Sequence, residues 1–579
     1  MKSKFYYKAI YVSLFLISCG VLNAQSPKWV STSSTGGTGD DIATGITIDP
    51  SSGDTYTTGY FKSTVDFDPG TETYELTSSG EWDMFVSKAD AAGNFVWAKA
   101  VGSSGNDYGT ALAFDASGNI IVAGSFGGPV NFVSAGSFDI ISAGGVDMFV
   151  TKLDAEGNFV WAKSMGGTLY NFINSIAVDI AGSGGIYATG RFHGTTDFDP
   201  DSTGISNFTA SDAEGFIFKL DDMGDFSWAH SFGSPGFDFG NDLVLDPAGS
   251  GAVYTTGKYQ GTVDFNPDAT DAFNMTATGN QNTFISKLDG AGNFIWAITM
   301  EGINNNYGSS IAIDPSGNHI YTTGLFNGTV DFDPGTESFT LTANGFDPFI
   351  SKLDNSGNFV WAKSFGGSGF DIGYSVIVDP AGSGEVYTAG FFGETVDFDP
   401  GNGVYNLTSE GEDDIFLSKL DAAGNFLWAK SIGGSLNDYS AGLAFDKSGQ
   451  LNIAGYFSSP NILLDSITVS NVNTSGTTAD FFIAKLDAAF PSASVDIITN
   501  HFTVYPNPLK NEMTIDLGEE EYSNVGISIF NSTGQVCFSL TDQNILHTKT
   551  FDLSSLLPGI YFIHLNIDGE NQITKVVRE

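Results

Sequence analysis

A tryptophan repeats at near-constant spacing along most of the chain, and few folds are compatible with that pattern. Seven of the eight tryptophans of this 579-residue chain stand 64 to 68 residues apart, five of them in a Gly-Asn-Phe-x-Trp context. A second marker, Phe-x-x-Lys-Leu-Asp, lies shortly before several of them. A fixed period of this length indicates one structural unit built seven times. The marker tryptophans are Trp29, Trp97, Trp161, Trp228, Trp296, Trp361 and Trp428.

Each repeat is predicted to consist of four short strands. In the fifth repeat, apolar-alternating runs at 309–314, 319–326, 349–354 and 359–363 are separated by Asp, Asn, Gly and Pro. Such runs bounded by turn residues indicate antiparallel hairpins, and no helical period is sustained. Four strands in each of seven repeats predict an all-β fold, a seven-bladed β-propeller over residues 25–490.

The phase of the repeat predicts that the N-terminal strand closes the ring. The chain opens with the Trp29 strand but lacks the strands that precede tryptophan in the other repeats. The seventh repeat ends at 482–487, and no tryptophan strand follows it. The first strand is therefore expected to complete the last blade, which removes exposed sheet edges.

Both ends of the chain differ from the repeats. Residues 1–24 have a basic head and an apolar stretch, the layout of a secretory signal peptide. We expect cleavage after Ala24; the alternative is a lipoprotein-type cleavage that lipidates Cys19. Residues 491–500 are predicted to be a linker, and the short strands of residues 501–579 predict a small C-terminal β-sandwich.

Two parts of the chain resemble known families. The Asp-x-Phe-Val-x-Lys-Leu-Asp-x-x-Gly-Asn-x-x-Trp core of the repeats resembles the bacterial seven-bladed propeller repeat called SBBP, which implies a fold but no common chemistry. Residues 501–579 resemble the type A C-terminal sorting domain of the type IX secretion system of Bacteroidetes. The motifs that carry this resemblance are Tyr505-Pro506-Asn507-Pro508 and the segments 531–535, 556–561 and 575–579. It implies that the type IX secretion machinery carries the chain across the outer membrane, to be released or held at the surface.

The charge balance excludes several classes of partner. The chain has 23 basic and 67 acidic residues and a net charge of −44, whereas nucleic acids and anionic membranes are bound by basic patches. After the signal, no segment reaches the roughly 20 apolar residues of a membrane-spanning helix. We therefore expect a secreted or cell-surface monomer that binds no nucleic acid and has no transmembrane helix.

Residues that are alike in most repeats are assigned to the fold. The marker tryptophans are predicted to pack the blades because each recurs with its strand. An aspartate two residues before the marker phenylalanine is likewise predicted to fix a strand or a loop. This series comprises Asp83, Asp147, Asp347, Asp414 and Asp480.

An acidic turn recurs in five repeats, four of them with two aspartates, and is the candidate cation site. Calcium takes six to eight oxygen ligands from bent loops of this kind. The alternative is a structural turn, because Asp-Pro sequences start turns by binding local amides. The sequence requires no other cofactor. The candidate calcium ligands are Asp66, Asp68, Asp197, Asp199, Asp331, Asp333, Asp397 and Asp399.

Positions that vary between otherwise similar repeats are the candidates for ligand contact. The residue after a recurring glycine differs in type from repeat to repeat, and the residue two further along shares its strand face. Trp82 also stands at a variable position, where an aromatic ring can stack on a sugar. The alternative is surface variation without a ligand. The candidate ligand-binding residues are Trp82, Tyr60, Arg191, His193, Lys258, Phe391 and Tyr456.

These features favour a binding protein over an enzyme. The repeats contain no Gly-x-Ser-x-Gly, His-Glu-x-x-His or phosphate-loop motif. We predict a secreted, non-catalytic propeller that binds or adheres to a glycan or a protein. One alternative is a polysaccharide-degrading enzyme, either a lyase using Arg191 and His193 or a glycoside hydrolase using paired carboxylates. Another is a structural surface component without a small ligand.

Overall fold

The fold is all-β throughout the described part of the chain. Every element there is a β-strand, and every strand ladder in the computed structural model is antiparallel, which confirms the predicted class. The chain divides into two compact units, residues 1–488 and 489–579. The predicted signal peptide, Cys19 and the linker lie outside the described residues. These residues are 27–132, 139–201, 204–268, 270–473, 476, 478–487, 503–505, 510–517, 525–531, 536–542, 548–554, 556, 559–567 and 570–578.

In the described part of the first unit, strands pair in seven antiparallel groups of four, numbered here sheets 1 to 7. Sheets 1 to 3 comprise Asp41–Ile48, Thr55–Phe61, Asp83–Ala89 and Phe95–Val101; Asp107–Phe114, Ile120–Phe126, Asp147–Leu153 and Phe159–Gly167; and Asn171–Val178, Ile186–Asp197, Asn207–Leu220 and Phe226–Phe232. Sheets 4 and 5 comprise Phe239–Leu245, Val253–Tyr259, Asn282–Leu288 and Phe294–Gly302; and Asn306–Ile313, His319–Asp331, Thr340–Asp354 and Phe359–Ser364. Sheets 6 and 7 comprise Ile372–Val378, Val386–Asp397, Asn406–Leu420 and Phe426–Ile432; and Asp438–Phe445, Leu451–Phe457, Asp480–Asp487 and Lys28–Gly37.

The acidic turn lies at the tip of a hairpin that joins the second and third strands. In sheets 3, 5 and 6 this hairpin is continuous with both strands, so His319–Asp331 and Thr340–Asp354 extend beyond the predicted 319–326 and 349–354. The phenylalanine of the turn packs alike in continuous and separate hairpins: Phe332 and Phe67 are both buried, and each ring lies 5.4 Å from a second-strand phenylalanine, Phe326 or Phe61. Elsewhere the hairpin forms separate short strands, namely Thr64–Asp66, Glu75–Thr77, Pro129–Asn131, Asp139–Ile141, Thr262–Asp264, Asn274–Thr276, Asn461–Leu464 and Ile467–Ser470.

The N-terminal strand pairs with the last strand of the repeats. Lys28–Gly37 runs antiparallel to Asp480–Asp487, with Thr32 opposite Ala484. The side chain of Trp29 is buried in the core of sheet 7. The first and last strands of the repeat region therefore share one sheet.

The first strands of consecutive sheets contact one another and line a common cavity. Each first strand contacts that of the next sheet, and the first strand of sheet 7 contacts that of sheet 1. All seven line a cavity of about 480 Å³. The fourth strands lie farthest from it in the pairing order.

Four marker tryptophans donate a hydrogen bond to a turn of the next sheet, namely Trp97, Trp228, Trp296 and Trp361. The indole Nε1 of Trp361 donates to the carbonyl of Ala422 at 3.1 Å, and the Lys352 ammonium donates to the same oxygen. Gly424, at φ +79°, lies against the Trp361 ring, where an added Cβ would approach to 3.2 Å. Glycine recurs at this turn position because φ is positive there, also at Gly93, where an added Cβ would meet nothing within 4 Å. The contact of Trp361 with the next sheet confirms the predicted packing role of the tryptophans.

The second unit contains two antiparallel sheets. One comprises Thr503–Tyr505, Glu512–Asp516 and Thr548–Asp552, and the other Val525–Asn531, Val536–Asp542, Gly559–Ile567 and Glu570–Arg578. Met513 and Ile515 of the first sheet are buried in one core with Ile529 and Ile563 of the second, the arrangement expected of a small β-sandwich. Within the described residues, no helix is long and apolar enough to cross a membrane.

Candidate functional site

Side chains from every sheet form a ring at one end of the cavity, here called the mouth ring. In each sheet, one first-strand residue and the second-strand residue that follows the recurring glycine lie opposite each other in the ladder. Five of the candidate ligand residues are ring members. The pairs are Ile42 and Tyr60, Tyr108 and Ser125, Phe172 and Arg191, Phe239 and Lys258, Tyr307 and Leu325, Ile372 and Phe391, and Tyr439 and Tyr456.

The ring members interleave across the borders between sheets. The Tyr60 ring lies 5.0 Å from that of Tyr108 in the next sheet, and Phe391 lies 4.8 Å from Tyr439 in the next. The Arg191 guanidinium contacts Phe172 of its own sheet and Phe239 of the following one. The structure thus brings together five residues that lie far apart in the sequence.

Trp82 extends the mouth ring on the side of sheet 1. Its ring centroid lies 5.8 Å from that of Tyr60 and 6.0 Å from that of Tyr108, and the Lys62 ammonium lies 6.0 Å from it. The indole Nε1 is buried and has no hydrogen-bond partner in the described residues. Trp82 therefore covers its neighbours with part of its ring, while the rest stays half-exposed.

His193 lies two residues beyond Arg191 on the same strand. Its Nδ1 is 2.8 Å from the carbonyl oxygen of Tyr170. Because a carbonyl only accepts, this nitrogen carries the proton and Nε2 of the neutral ring is left as an acceptor. The imidazole is thereby oriented at the edge of the mouth ring.

Sequence reasoning missed Tyr374, an exposed tyrosine beside the mouth ring. It occupies the bulge of the first strand of sheet 6, lines the cavity and is 43 % exposed. Its ring lies 5.7 Å from Phe391. Burial, followed by the nearby phenols of Tyr374 and others, raises the pKa of Tyr456. Comparing the bulge between repeats would have found Tyr374, because its counterparts are Thr44, Thr110, Asn174, Asn241, Ser309 and Ala441.

Loop aromatics at the same end of the cavity were also missed. Tyr170, Phe237 and Phe370 are 54 %, 52 % and 46 % exposed, and each stands just before a first strand. The Phe370 ring lies 5.8 Å from Phe391. The mouth ring therefore opens onto a face rich in exposed aromatic rings.

Buried aspartates hold the loops around the mouth ring. Asp107, 1 % exposed, accepts the backbone amides of Ser103 at 2.6 Å and Gly127 at 3.1 Å. The equivalent Asp238 accepts those of Ser234 and Gln260. The predicted series behaves similarly and is confirmed as structural, with loop amides donating to Asp83, Asp147, Asp347, Asp414 and Asp480.

The two aspartate series meet in pairs at the borders between sheets. Burial, with Asp480 as the next cause, raises the pKa of Asp41 to about 8. Burial raises the pKa of Asp480 to about 6. At the border of sheets 2 and 3 the first-strand member is an asparagine, and the Asn171 amide donates to Asp147 at 3.1 Å. Where two carboxyl groups meet at one border, as Asp41 and Asp480 do, the protonated form of one of them is therefore favoured.

The candidate calcium ligands lie in the hairpin turns, away from the mouth ring. In each turn, Oδ1 of the first aspartate accepts two backbone amides; for Asp66 these belong to Asp68 and Tyr74. Asp197, Asp331 and Asp397 repeat this arrangement. Among the described residues, no group of three or more His, Cys, Asp or Glu side chains is arranged to hold a metal ion. Calcium binding remains a prediction, and the turn geometry accounts for one oxygen of each first aspartate.

Comparison with known proteins assigns the C-terminal unit. Residues 503–579 match the secretion system C-terminal sorting domain, which confirms the resemblance of this part of the chain. This domain indicates export, followed by attachment to or secretion from the cell surface. The secretion machinery is therefore a partner of this chain.

The repeats are similar to proteins of different kinds. An uncharacterised WD repeat-containing protein of Acanthamoeba polyphaga mimivirus is 25% identical over 447 residues, covering 64% of this chain and 32% of its own. The regulatory protein FlaEY of Caulobacter vibrioides is 28% identical over 170 residues, covering 29% of this chain and 17% of its own. The chain thus spans a third or less of the curated relatives it matches. The WD-repeat match supports a β-propeller.

Solved structures show only distant likeness. Sqt1 from Chaetomium thermophilum has a TM-score of 0.36 at 11% identity, covering 75% of this chain and 83% of its own. The GH74 enzyme of Niastella koreensis has a TM-score of 0.24 at 11% identity, covering 96% and 92%.

Proposed function

We propose that this chain is a secreted or surface-held, seven-bladed SBBP-type propeller that binds a glycan at the mouth ring without chemical conversion. Closure of the ring is supported by the pairing of Lys28–Gly37 with Asp480–Asp487. It is also supported by the contact between the first strands of sheets 1 and 7. The sorting domain supports delivery to the outer surface, where glycans are abundant. We propose that the chain acts there as a monomer.

The observation that carries the proposal is the open aromatic face around the mouth ring. Tyr374, Phe237 and Phe370 are about half exposed, although apolar rings of this size are stabilised by burial. Aromatic faces stack on the apolar faces of sugar rings, so they offer a surface for a polysaccharide. A ring built from different residue types in each sheet also suits a ligand without sevenfold symmetry.

A binding role is favoured over hydrolysis by what the carboxyls do. The aspartates with raised pKa, such as Asp41 and Asp438, are fully buried and accept loop amides, so they do not face a bound substrate. A lyase would rely on Arg191 and His193. The Arg191 guanidinium lies against two phenylalanine rings, and Nδ1 of His193 is occupied by Tyr170.

The test is to incubate the full chain with a panel of soluble and insoluble polysaccharides. Retention of the protein and the appearance of reducing or unsaturated ends are scored in the same tubes. We expect retention on at least one glycan without new ends. New reducing or unsaturated ends would show that the protein is an enzyme and refute the non-catalytic role. No retention on any glycan would refute the proposed ligand class.

A further inference from the structure

Two cations share one aromatic ring in the mouth ring of a chain whose net charge is −44. The guanidinium carbon of Arg191 lies 4.5 Å from the centroid of Phe172 and 4.8 Å from that of Phe239. The Lys258 ammonium lies 4.3 Å from the Phe239 centroid and 5.7 Å from that of Tyr307. Phe239 thus has both cations against it.

Neither cation has an anionic partner among the described residues. Other lysines of the repeats do, such as Lys88 with Asp54 at 3.0 Å and Lys419 with Glu385 at 2.7 Å. The carboxylate that faces Lys258 is Asp238, and its oxygens already accept two backbone amides at 2.6 and 2.7 Å. The cations therefore remain available to a ligand.

Their surroundings make the two cations receptive to an anion. Burial lowers the pKa of Arg191, and burial together with the Arg191 charge lowers the pKa of Lys258. Both pKa shifts indicate that water and neighbouring protein groups stabilise the two positive charges less than bulk water would. The two phenylalanine rings that contact the guanidinium do not take up its N–H donors as a carboxylate would, so these donors suit an oxyanion.

We propose that Arg191 and Lys258 form a binding site for an oxyanion carried on a sugar, a carboxylate or a sulfate ester. This inference rests on the proposed glycan-binding function and narrows the ligand to acidic polysaccharides. The charged group accepts hydrogen bonds from the two cations, while neighbouring sugar rings stack on the exposed aromatics of the mouth. The acidic chain excludes such polymers elsewhere by repulsion, so this pair directs them to the mouth ring.

The test measures binding of the full chain to three oligosaccharides of similar length by calorimetry: an oligogalacturonate, a sulfated galactan and a neutral galactan. Arg191→Gln and Lys258→Gln each remove one cation. Lys163→Gln removes the same charge from an outer strand, where Lys163 pairs with Asp225 at 2.9 Å. Unfolding temperatures establish that each variant is folded, and the two mouth variants are independent of each other.

We expect at least one acidic oligosaccharide to bind about tenfold or more tightly than the neutral one, and its affinity to fall with salt. Each mouth variant should lose about ten- to a hundredfold in affinity, as expected when a charge-assisted hydrogen bond is lost, while Lys163→Gln binds like the parent. Which acidic arm binds distinguishes carboxylate from sulfate.

The possible negative results distinguish the oxyanion site from the glycan-binding function. Equal binding of neutral and acidic oligosaccharides, unchanged in the mouth variants, overturns this inference and leaves the glycan-binding function intact. Binding of inorganic sulfate as tightly as the sulfated galactan also overturns it, because the site would then take a free anion. Binding to none of the three, together with no retention on the polysaccharide panel, refutes both proposals.

Discussion

Replacing Asp480 by asparagine should stabilise the protein, and more so as the pH rises. Asp480 is fully buried; its Oδ2 accepts the amide of Val472, but its Oδ1 has no hydrogen-bond partner in the described residues. Burial raises its pKa from 3.8 to about 6. An asparagine keeps the bond from Val472 and puts a donor where Oδ1 stood, next to Asp41. The Asn171 amide plays this part beside Asp147.

The sign and the size of the effect follow from proton linkage. A folded-state pKa above the unfolded value means that the folded protein holds the proton more tightly. The contribution of this carboxyl to stability is therefore complete below about pH 4 and is lost as the pH rises through 6. With a pKa of 3.8 unfolded and about 6 folded, the loss is about 1.5 kcal/mol at pH 5 and about 3 kcal/mol at pH 8. An asparagine at this position does not titrate, so the variant does not lose this stability as the pH rises.

The assay is denaturant unfolding of the parent and Asp480→Asn at pH 5 and pH 8. The stability advantage of the variant should grow by about 1.5 kcal/mol between the two values. Asp212→Asn, at an exposed position of sheet 3, removes the same charge and should show little change with pH. An advantage of Asp480→Asn that stays constant or shrinks as the pH rises would refute the reasoning.

Three further predictions concern export, packing and calcium. Deleting residues 501–579 should leave the protein in the periplasm, as measured by immunoblotting of cell fractions; its appearance in the medium would contradict the sorting role. Gly124→Ala should lower the unfolding temperature far more than Gly118→Ala. An added Cβ at Gly124 would fall 1.9 Å from the Tyr108 carbonyl oxygen. Gly118, at φ +80°, has open space around it, so Gly118→Ala has only the backbone cost of a left-handed residue, about 1–2 kcal/mol. A Gly124→Ala variant as stable as the parent would refute this packing argument. If the turns are purely structural, as the amides bound to one oxygen of each first aspartate such as Asp66 suggest, a chelator leaves the unfolding temperature unchanged. The predicted calcium sites would instead give a fall of several degrees.

Much of the strand pattern was predictable because the sequence repeats it. The repeat lacks strands before Trp29 and lacks a tryptophan strand after residue 487. This predicted that the Trp29 strand completes the last repeat, and it does pair with the strand that ends at residue 487. The structural role of the tryptophans also followed from their recurrence. The lengths of the second and third strands did not, because similar hairpin sequences continue both strands in sheet 5 and form separate short strands in sheet 1.

The candidate site was predictable only in part. Comparing the second strands of the repeats gave Tyr60, Arg191 and Lys258, because one strand position is directly readable from a period-2 pattern. Tyr374 stands on a β-bulge, which shifts the alternation by one residue and hides the side chain from such a pattern. The proximity of Arg191 to Lys258 depends on how neighbouring sheets pack, which no spacing along the chain reveals.

The central claim is that the mouth ring, and not another part of the surface, binds the glycan. Tyr374→Ala tests it most directly, with Tyr405→Ala as the matched control, because Tyr405 is 40 % exposed but lies in an outer hairpin turn. Both variants are titrated with the polysaccharide that retains the parent protein. We expect Tyr374→Ala to lose about tenfold or more in affinity for the polysaccharide and Tyr405→Ala to bind it like the parent. Equal affinity of both variants, or a loss confined to Tyr405→Ala, would contradict it.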